Sequence, residues 1–313
     1  MAEADVQVPM RTPRRVLITG GAGFIGSRLA RRLARDGDPD AASVIALDDL
    51  SAPGSTSSLG PGVQLDVADV RDERAVERAM DGARLVLHLA SVVGVDAVTA
   101  QPERTGSVIR QGTAVVARAA LRRGCPLVFF SSSEVTDAPR RGPRAVYAEA
   151  KRDAEALLLG LSHELPVTIV RPFNIVGPGQ ASEQGMVLPV LAAAARAGAP
   201  LPVHGDGRQE RAFLHVDDLV DALLELLART GGAAAPGGEV LEIGGTERLS
   251  IGELAERLSA LAGTAAPVQR GAPDGAREDR PRRAPDLSAP RRRIDFAPRR
   301  GLSQILADAL ACA

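Results

Sequence analysis

The stretch Thr19-Gly-Gly-Ala-Gly-Phe-Ile-Gly26 decides which fold this sequence can adopt. It follows a short apolar run and precedes a segment of helix length. Gly20 permits a tight turn, Gly23 lets the backbone approach a pyrophosphate, and Gly26 allows helix and strand to pack closely. The N-terminus of the helix beyond them supplies positive potential for phosphate groups. The stretch therefore predicts a dinucleotide site at the first strand–helix junction.

Short apolar runs alternate with helix-length stretches through the first half of the chain. This alternation is typical of a parallel sheet that helices cover on both faces. The predicted strands are Arg15–Thr19, Ser43–Leu47, Val63–Leu65, Arg84–Leu89, Leu127–Ser131 and Val167–Val170, and the predicted helices are Phe24–Asp36, Glu73–Met80, Glu103–Arg123 and Tyr147–Glu164. The fold class is therefore α/β, a Rossmann-like doubly wound parallel sheet.

The alternation loosens beyond Pro172, where we expect a smaller C-terminal substrate-binding lobe. The predicted elements there are helices at Val187–Ala197, Val216–Ala228 and Ile251–Ala262 and a strand at Glu239–Ile243. Residues 1–13 are predicted to be a disordered arm and residues 14–173 a dinucleotide-binding domain, with returning elements at about 207–246. Residues 174–206 and 247–313 are then assigned to the substrate-binding lobe.

Two carboxylates, Asp48 and Asp49, stand at the end of the second predicted strand. A carboxylate at this position accepts hydrogen bonds from the adenosine ribose diol and would repel a 2′-phosphate. NAD is therefore the predicted cofactor, with Asp48 as the ribose ligand. Arg28, just beyond the glycine turn, keeps NADP open as an alternative.

Residues 147 to 151 read Tyr-Ala-Glu-Ala-Lys, and they hold the only tyrosine and the only lysine of the chain. A spacing of four places Tyr147 and Lys151 on one face of a helix, where the ammonium can lower the pKa of the tyrosine. A tyrosine with a lowered pKa can act as an acid or a base near neutral pH. The alternative is a buried tyrosine beside a surface lysine.

Four more segments accompany the glycine turn, namely Leu87-His-Leu-Ala90, Phe130-Ser-Ser-Ser-Glu-Val135, Tyr147-x-x-x-Lys151 and Arg171-Pro-Phe-Asn-Ile-Val-Gly-Pro178. Together the five resemble the extended short-chain dehydrogenase/reductase family, and within it the NAD-dependent nucleotide-sugar epimerases, dehydratases and decarboxylases. The resemblance runs from about residue 15 to about residue 305. It implies a nucleotide-sugar substrate, most simply a UDP-sugar, and a homodimer formed through the Glu103–Arg123 and Tyr147–Glu164 helices.

The resemblance also implies roles for the residues around the reaction site. Ser133 matches the residue that hydrogen-bonds the sugar hydroxyl being oxidised, and Tyr147 matches the base that removes the proton of that hydroxyl. Lys151 matches the residue that holds the nicotinamide ribose and activates the tyrosine. The implied cofactor contacts are Gly20, Gly23, Phe24, Ile25, Gly26, Asp48, Asp66 near the adenine with its neighbour Val67, and Leu89 with Ala90 alongside the cofactor.

Candidate substrate ligands follow from the same resemblance. Asn174 matches an asparagine that contacts the diphosphate, and Arg211 matches a phosphate-binding arginine. Arg283 is the better-aligned candidate in a second phosphate-facing stretch, with Arg277 as its alternative. Arginine can grip two phosphate oxygens at once. The arginine-rich stretch 270–300 offers only Phe296 as an aromatic stacking surface, so we expect no nucleic-acid partner there.

The three reactions of the family share one first step, the oxidation of C4 of the sugar to a ketone. Ser133 stands directly before Glu134, where a 4,6-dehydratase typically has an aspartate, which argues against dehydration. An epimerase needs only reversible hydride transfer, so we favour a 4-epimerase of a UDP-sugar or UDP-uronic acid. Decarboxylation is the alternative, because Glu134 and Arg283 could flank a C5 carboxylate. A structural role for Glu134 and a catalytically idle NAD-binding sensor also stay open.

Two positions depart from the family pattern. Thr136 replaces an aromatic residue beside the site, and Ile109 replaces a helix asparagine that lies four residues before Thr113. Neither change removes the tyrosine–lysine pair, and both bear on the choice of substrate.

Composition limits the remaining possibilities. The net charge of −1 predicts no bulk attraction to nucleic acid or anionic membranes. Cys125 and Cys312 are too few for a disulfide framework, and no spacing suggests a metal site. The longest uncharged apolar run, Leu85 to Val95, is too short to cross a bilayer, and no secretory signal is evident. We therefore expect a cytoplasmic protein.

Overall fold

A computed structural model describes residues 15–36, 43–52, 54–56, 59–136, 142–230, 237–264, 266–271 and 282–311. The predicted arm at residues 1–13 lies outside the described residues, as do Arg277 and Cys312. In chain order the elements are β1 (Arg15–Thr19), α1 (Phe24–Asp36), β2 (Ser43–Asp48), β3 (Val63–Val67), α2 (Glu73–Ala79), β4 (Leu85–His88), α3 (Val95–Ala100), α4 (Pro102–Arg123), β5 (Leu127–Phe130), α5 (Pro143–Gly160), β6 (Val167–Phe173), β7 (Ile175–Val176), α6 (Val187–Arg196), β8 (Leu201–His204), β9 (Glu210–Ala212), β10 (Leu214–His215), α7 (Val216–Arg229), β11 (Glu239–Gly244), β12 (Arg248–Ser250), α8 (Ile251–Ala262), β13 (Val268–Gly271), β14 (Arg282–Arg283), α9 (Ser288–Arg293) and α10 (Leu302–Ala311).

The largest sheet in the described part of the chain has seven parallel strands in the order β11-β6-β5-β4-β1-β2-β3. Its central strands β4 and β5 are buried along their whole length, because helices cover both faces of the sheet. The strand order reverses between β1 and β4, and in such sheets ligands bind outside the carboxyl ends at this point. The predicted α/β Rossmann-like fold is confirmed.

Successive residues of β1 pack on opposite faces of the sheet, as the alternation of side chains along a strand requires. Leu17 belongs to a core that α2, α4 and α5 close, whereas Val16 and Ile18 belong to a core under α1 and α7. Alanines are frequent on the buried faces of α4 and α5, and small side chains let these two helices lie close to the sheet. Helix α5 is thereby packed closely on the sheet.

The smaller lobe has a core of its own, built mainly from α6, α8 and α10. Three short sheets accompany it, with the orders β12-β9-β14, β13-β8 and β10-β7. The sequence predicted α6, α8 and the strand that begins at Glu239, but it missed α9, α10 and all of these short strands, which are only two to four residues long. Of the returning elements, β11 joins the large sheet while β9 and β10 do not, and the proposed division into domains stays a prediction.

Helix α5 begins at Pro143, four residues before the predicted start, and ends at Gly160. Proline suits the first turn of a helix, because the N–H group it lacks would have no partner there. Tyr147 and Lys151 consequently lie inside the helix and not at its end. Among the described helices, none combines the length and apolar character needed to cross a bilayer.

Candidate active site

A pocket opens at the carboxyl edge of β1 and β4, and the glycine turn forms part of its wall. Gly20 has a φ of +70°, and a Cβ atom there would lie 2.8 Å from the backbone nitrogen of Ala90. A Cβ atom on Gly26 would lie 2.1 Å from the Gly20 carbonyl oxygen. Side chains at these positions would therefore distort the turn on which the N-terminus of α1 is presented. Gly23, Phe24 and Ile25 line the same wall.

The adenosine end of the pocket, defined here by Asp48, Asp49, Asp69 and Arg104, carries three carboxylates and one guanidinium. Asp48 accepts hydrogen bonds from the backbone N–H groups of Ala22, at 3.0 Å, and Leu50, at 2.8 Å. Burial raises the pKa of Asp48, and these hydrogen bonds oppose the rise. Arg104 donates to Asp49 at 2.8 Å. The Asp48 carboxylate thus links the glycine turn to the end of β2, and Asp48 is the residue that the sequence analysis predicted as the ribose ligand.

Asp66 and Val67, which the sequence placed beside the adenine, do not line the pocket. Asp66 accepts a hydrogen bond from the side chain of Gln64 at 2.8 Å, and Val67 is 63% exposed. Asp69 and Val70 line the pocket instead, three positions farther along. The reason is that β3 runs two residues beyond its predicted end, so the chain reaches the carboxyl edge of the sheet later.

Arg28 points away from the adenosine end. Its guanidinium donates to the carbonyl of Pro178 and lies 3.5 Å from Asp217 and 5.0 Å from the centroid of the Phe24 ring. It therefore joins α1 to the loop after β7 and lies away from Asp48. The argument that Arg28 could hold a 2′-phosphate loses its structural basis.

Lys151 lies at the other end of the pocket and is only 2% exposed. Its ammonium donates a hydrogen bond to the carbonyl of Phe130 at 2.7 Å and lies 4.8 Å from the centroid of the Phe129 ring. Burial lowers the pKa of Lys151 to about 7, and the charge of Glu155 opposes that fall. The surface-lysine alternative is wrong.

Tyr147 lines the pocket one turn before Lys151, with its ring centroid 5.9 Å from the lysine nitrogen. Burial raises the pKa of Tyr147 to about 12, while the hydroxyls of Ser132 and Ser91 act to lower it. The prediction that the ammonium lowers this pKa below its ordinary value is therefore wrong for this structure. Withdrawal from water outweighs the groups that favour the phenolate.

Ser132 occupies the position beside Tyr147 that the sequence assigned to Ser133. Its hydroxyl approaches the phenol and also accepts a hydrogen bond from the backbone N–H of Glu134 at 3.1 Å. Ser133 lines the pocket too, but its described hydrogen bond is made by its carbonyl, which accepts from Thr136 at 2.8 Å. Strand β5 ends at Phe130 and a turn of 3-10 helix begins at Ser133, so the chain turns one residue earlier than predicted.

Glu134 and Arg144 form an ion pair inside the pocket. One guanidinium nitrogen of Arg144 donates to both carboxylate oxygens, at 2.9 and 3.2 Å, and both side chains are largely buried. Glu134 also lies close enough to Tyr147 to raise the pKa of that phenol. The sequence analysis named Glu134 but missed Arg144, whose only signal was its place one helical turn before Tyr147. We call Ser132, Glu134, Arg144, Tyr147 and Lys151 the catalytic end.

The predicted substrate ligands are only partly brought together. Asn174 lines the pocket, adopts a φ of +46° and donates to the carbonyl of Ala212 at 3.0 Å. Arg211 is buried on β9 and is not part of the pocket wall in the described structure, where it donates to the carbonyl of Glu210 at 2.6 Å. The backbone of Arg283 pairs with that of Arg211 between β14 and β9. Residues that line the pocket but were not predicted include Gln180, Gln184 and Met186.

Leu89 and Ala90 also line the pocket. A series of buried, hydrogen-bonded side chains connects to the backbone of Ala90. Thr19 accepts a hydrogen bond from the Ala90 N–H at 3.3 Å, and its hydroxyl is 2.6 Å from Nδ1 of His88. Nε2 of His88 is 3.0 Å from the hydroxyl of Thr113. Burial lowers the pKa of His88 to about 3, so the ring is neutral. Ile109, in place of the family asparagine, packs in the core beneath α4.

Residues 16–244 match the model of a family described as the NAD dependent epimerase/dehydratase family. The chain belongs to this family. The resemblance inferred from the five segments is thereby confirmed, and so is NAD as the cofactor. Among the described residues, no group of three or more His, Cys, Asp or Glu side chains is arranged to hold a metal ion.

Known decarboxylases and dehydratases of nucleotide sugars are similar to this family member. The chain is 31% identical over 308 residues to a UDP-N-acetyl-alpha-D-glucosaminuronate decarboxylase of Bacillus cytotoxicus, covering 91% of this chain and 93% of the relative. It is 32% identical over 304 residues to a dTDP-glucose 4,6-dehydratase of Streptomyces niveus, covering 91% and 88%. The solved structure of DesIV, a dTDP-glucose 4,6-dehydratase from Streptomyces venezuelae with NAD and TYD bound, superposes with a TM-score of 0.81 at 28% identity and covers 95% of each chain.

The residues of the pocket fit NAD. The glycine turn leaves a cradle that Cβ atoms would fill, Asp48 faces the pocket at the end of β2, and the tyrosine–lysine pair lies at the opposite end. When bound there, NAD supplies a hydride acceptor. Hydride removal from an alcohol also requires a group that takes the hydroxyl proton, and Tyr147 is the pocket residue with that chemistry.

Proposed function

We propose that this enzyme oxidises C4 of a nucleotide-linked uronic acid and then removes its carboxyl group as CO2. The observation that carries the proposal is the guanidinium of Arg144, which lies in the pocket one helical turn before Tyr147. Among the described residues it hydrogen-bonds only Glu134, through one of its nitrogens. Arginine has five N–H donors in a planar fork, so donors remain for a substrate carboxylate.

The first step in this proposal belongs to Ser132 and Tyr147. Ser132 holds the C4 hydroxyl and Tyr147 takes its proton, while NAD, when bound, would supply the acceptor for the hydride of C4. Because burial raises the pKa of Tyr147 to about 12, the phenolate needs help from its surroundings. The hydroxyls of Ser91 and Ser132 already act in that direction. The Lys151 ammonium, one turn away, adds a positive charge.

Oxidation makes the substrate a β-keto acid, since the C4 ketone and the carboxyl group flank C5. The bond between C5 and the carboxyl carbon then breaks, CO2 leaves, and the electron pair forms an enolate between C4 and C5. C5 then takes a proton that Glu134 relays from water, and Tyr147 gives its proton back to the C4 oxygen as the ketone is reduced again.

The similarity to a decarboxylase of a UDP-linked uronic acid supports this substrate class. A 4-epimerase, which the sequence analysis favoured, is the second candidate. The observation in its favour is that Glu134 already satisfies part of Arg144, so the site does not require a substrate carboxylate. Ser133 before Glu134 still argues against dehydration, because no second acid stands there.

Product analysis separates the candidates. The purified enzyme is incubated with UDP-glucuronate, UDP-N-acetylglucosaminuronate and UDP-glucose, and products are identified by mass spectrometry and NMR. We expect loss of CO2 from a uronate and a fall of about 10²-fold in that rate in Arg144→Met, since an oriented charge pair is removed. Arg104→Met is the matched control, because Arg104 lies at the adenosine end, and it should decarboxylate normally at saturating NAD.

Other outcomes are equally informative. A 4-epimer with no loss of mass would overturn decarboxylation and support the epimerase. If protein that retains NAD gives no product from any of these nucleotide sugars, both reactions are rejected and the catalytically idle NAD-binding sensor is the remaining hypothesis.

We also propose a homodimer formed through α4 and α5. Leu157 of α5 is an exposed apolar side chain on this pair of helices, which is consistent with a covered surface. Sedimentation of Leu157→Glu against wild type would test it, with dissociation as the expected result. The cytoplasmic location stays a prediction.

A further inference from the structure

Lys151 is a buried cation, and the acceptor of its hydrogen bond, a backbone carbonyl, carries no negative charge. Its ammonium contacts the neutral carbonyl of Phe130 and the rings of Phe129 and Tyr147. A buried ammonium without an anion nearby tends to lose its proton. A neutral lysine could not favour the phenolate of Tyr147, so the site needs an anion for Lys151.

Glu155 provides that anion. It follows Lys151 by four residues on α5, so the two side chains lie on the same face of the helix. The carboxylate is itself only 5% exposed. Among the described residues it is the group whose charge favours the protonated form of Lys151.

Arg171 on β6 holds this carboxylate from the other side. Its guanidinium donates to the two oxygens of Glu155 at 2.9 and 2.6 Å, which is the bidentate geometry of strong arginine–carboxylate pairs. A third nitrogen donates to Glu242 of β11 at 3.4 Å. The carboxylate is therefore held in one position on the side of Lys151.

The other groups that face Lys151 do not serve this purpose. His88 on β4 is neutral because burial lowers its pKa to about 3, and the lysine charge contributes to that fall. Burial raises the pKa of Tyr147 to about 12, so it too is uncharged at neutral pH. The β5 contacts are a carbonyl and a ring.

We propose that Glu155 is a positioning residue that keeps the Lys151 ammonium charged, and that Arg171 fixes its carboxylate for that purpose. The proposal concerns the tyrosine–lysine chemistry that decarboxylation and epimerisation share. It therefore does not depend on which of the two reactions is correct, and it can be tested without any sugar substrate.

The chain offers a direct measurement, because Lys151 is its only lysine. Biosynthetic labelling with lysine enriched in carbon-13 at Cε gives one side-chain NMR signal, and its chemical shift follows the protonation of Lys151 with pH. In the full-length, NAD-loaded protein we expect the titration midpoint of Glu155→Gln to fall by about one pH unit, the low end of the effect of a neighbouring opposite charge. The wild-type midpoint is the reference.

Glu242→Gln is the matched control. Glu242 contacts the same guanidinium, but it stands on β11 and not one turn from the lysine. Its variant should titrate like wild type. An equal shift in both variants would show a general disturbance of the arginine network and would overturn the proposal.

A second variant decides the matter if Glu155→Gln does not fold. Arg171→Met leaves the Glu155 carboxylate without the guanidinium that holds it, so its charge is no longer fixed near Lys151 and the midpoint should fall. An unchanged or higher midpoint would reject the role of Arg171. A folded Glu155→Gln with an unchanged midpoint would reject the role of Glu155.

Discussion

At the adenosine end of the pocket, the acidic groups are tied to nearby backbone and to surface arginines. Asp48 binds two backbone N–H groups, and Asp49 pairs with Arg104, whose side chain is about one-third exposed. At the catalytic end, burial dominates. It lowers the pKa of Lys151 to about 7 and raises the pKa of Tyr147 to about 12.

The two ends therefore differ in what the fold supplies, which is fixed hydrogen bonds at the adenosine end and burial at the catalytic end. Binding a ribose and a pyrophosphate requires polar groups in fixed positions, and short loops between sheet and helix can provide them. Proton transfer depends on groups whose pKa values differ from those in water, and at the catalytic end burial shifts both, moving Lys151 towards neutral pH and Tyr147 away from it. Substitutions at the two ends should therefore affect different steps.

The strongest test of this division is Tyr147→Phe. It removes the only phenol of the chain, so turnover should fall by about 10³-fold, within the usual range for loss of a general base. Bound NAD, quantified after denaturation of the purified protein, should remain at the wild-type level, since the adenosine end is untouched. Turnover close to wild type would contradict the assignment of the base.

A second test compares Ser132 of the catalytic end with its neighbour Ser133. Ser132→Ala should lower kcat by about 10²-fold, because the hydroxyl that approaches Tyr147 is lost. Ser133→Ala is the matched control and should change kcat by less than about threefold, as expected of a side chain outside the proton path. The reverse order of effects would restore the role that the sequence gave to Ser133.

The smallest expected effect lies at the adenosine end. Asp69→Asn should weaken NAD binding several-fold, equivalent to about 1 kcal/mol for one altered hydrogen bond, with kcat unchanged at saturating NAD. Asp66→Asn should leave NAD affinity unaltered, because Asp66 lies outside the pocket. Calorimetric titration of NAD into cofactor-free protein compares the two. If NAD bound more weakly to Asp66→Asn and normally to Asp69→Asn, the predicted role of Asp66 beside the adenine would be supported instead.

Patterns within a few residues of one another were sufficient for much of this molecule. Apolar runs placed all seven strands of the large sheet to within three residues at each end, because strands buried on both faces must be apolar throughout. The glycine turn predicted the cofactor wall. The spacing of Tyr147 and Lys151 predicted that both would reach the same pocket.

Errors arose where a strand end decides which residue faces the pocket. Strand β5 ends one residue earlier than predicted and β3 two residues later. As a result Ser132 and not Ser133 lies against the Tyr147 phenol, and Asp69 and not Asp66 lines the pocket. A strand ends where its pairing partners end, and no local pattern records that. The prediction that Arg28 could hold a 2′-phosphate failed for a similar reason. Its partners Pro178 and Asp217 are far away in the sequence.

The sequence by itself determined the α/β fold, the glycine cradle and the presence of a single phenol and a single ammonium one helical turn apart. The tertiary structure decided what those two groups can do. Their pKa values follow from burial under α5, from the ion pair between Glu134 and Arg144, and from the carboxylate of Glu155 held by Arg171. Electrostatic effects of this kind depend on distance and on exclusion of water, and both exist only once remote segments have packed together.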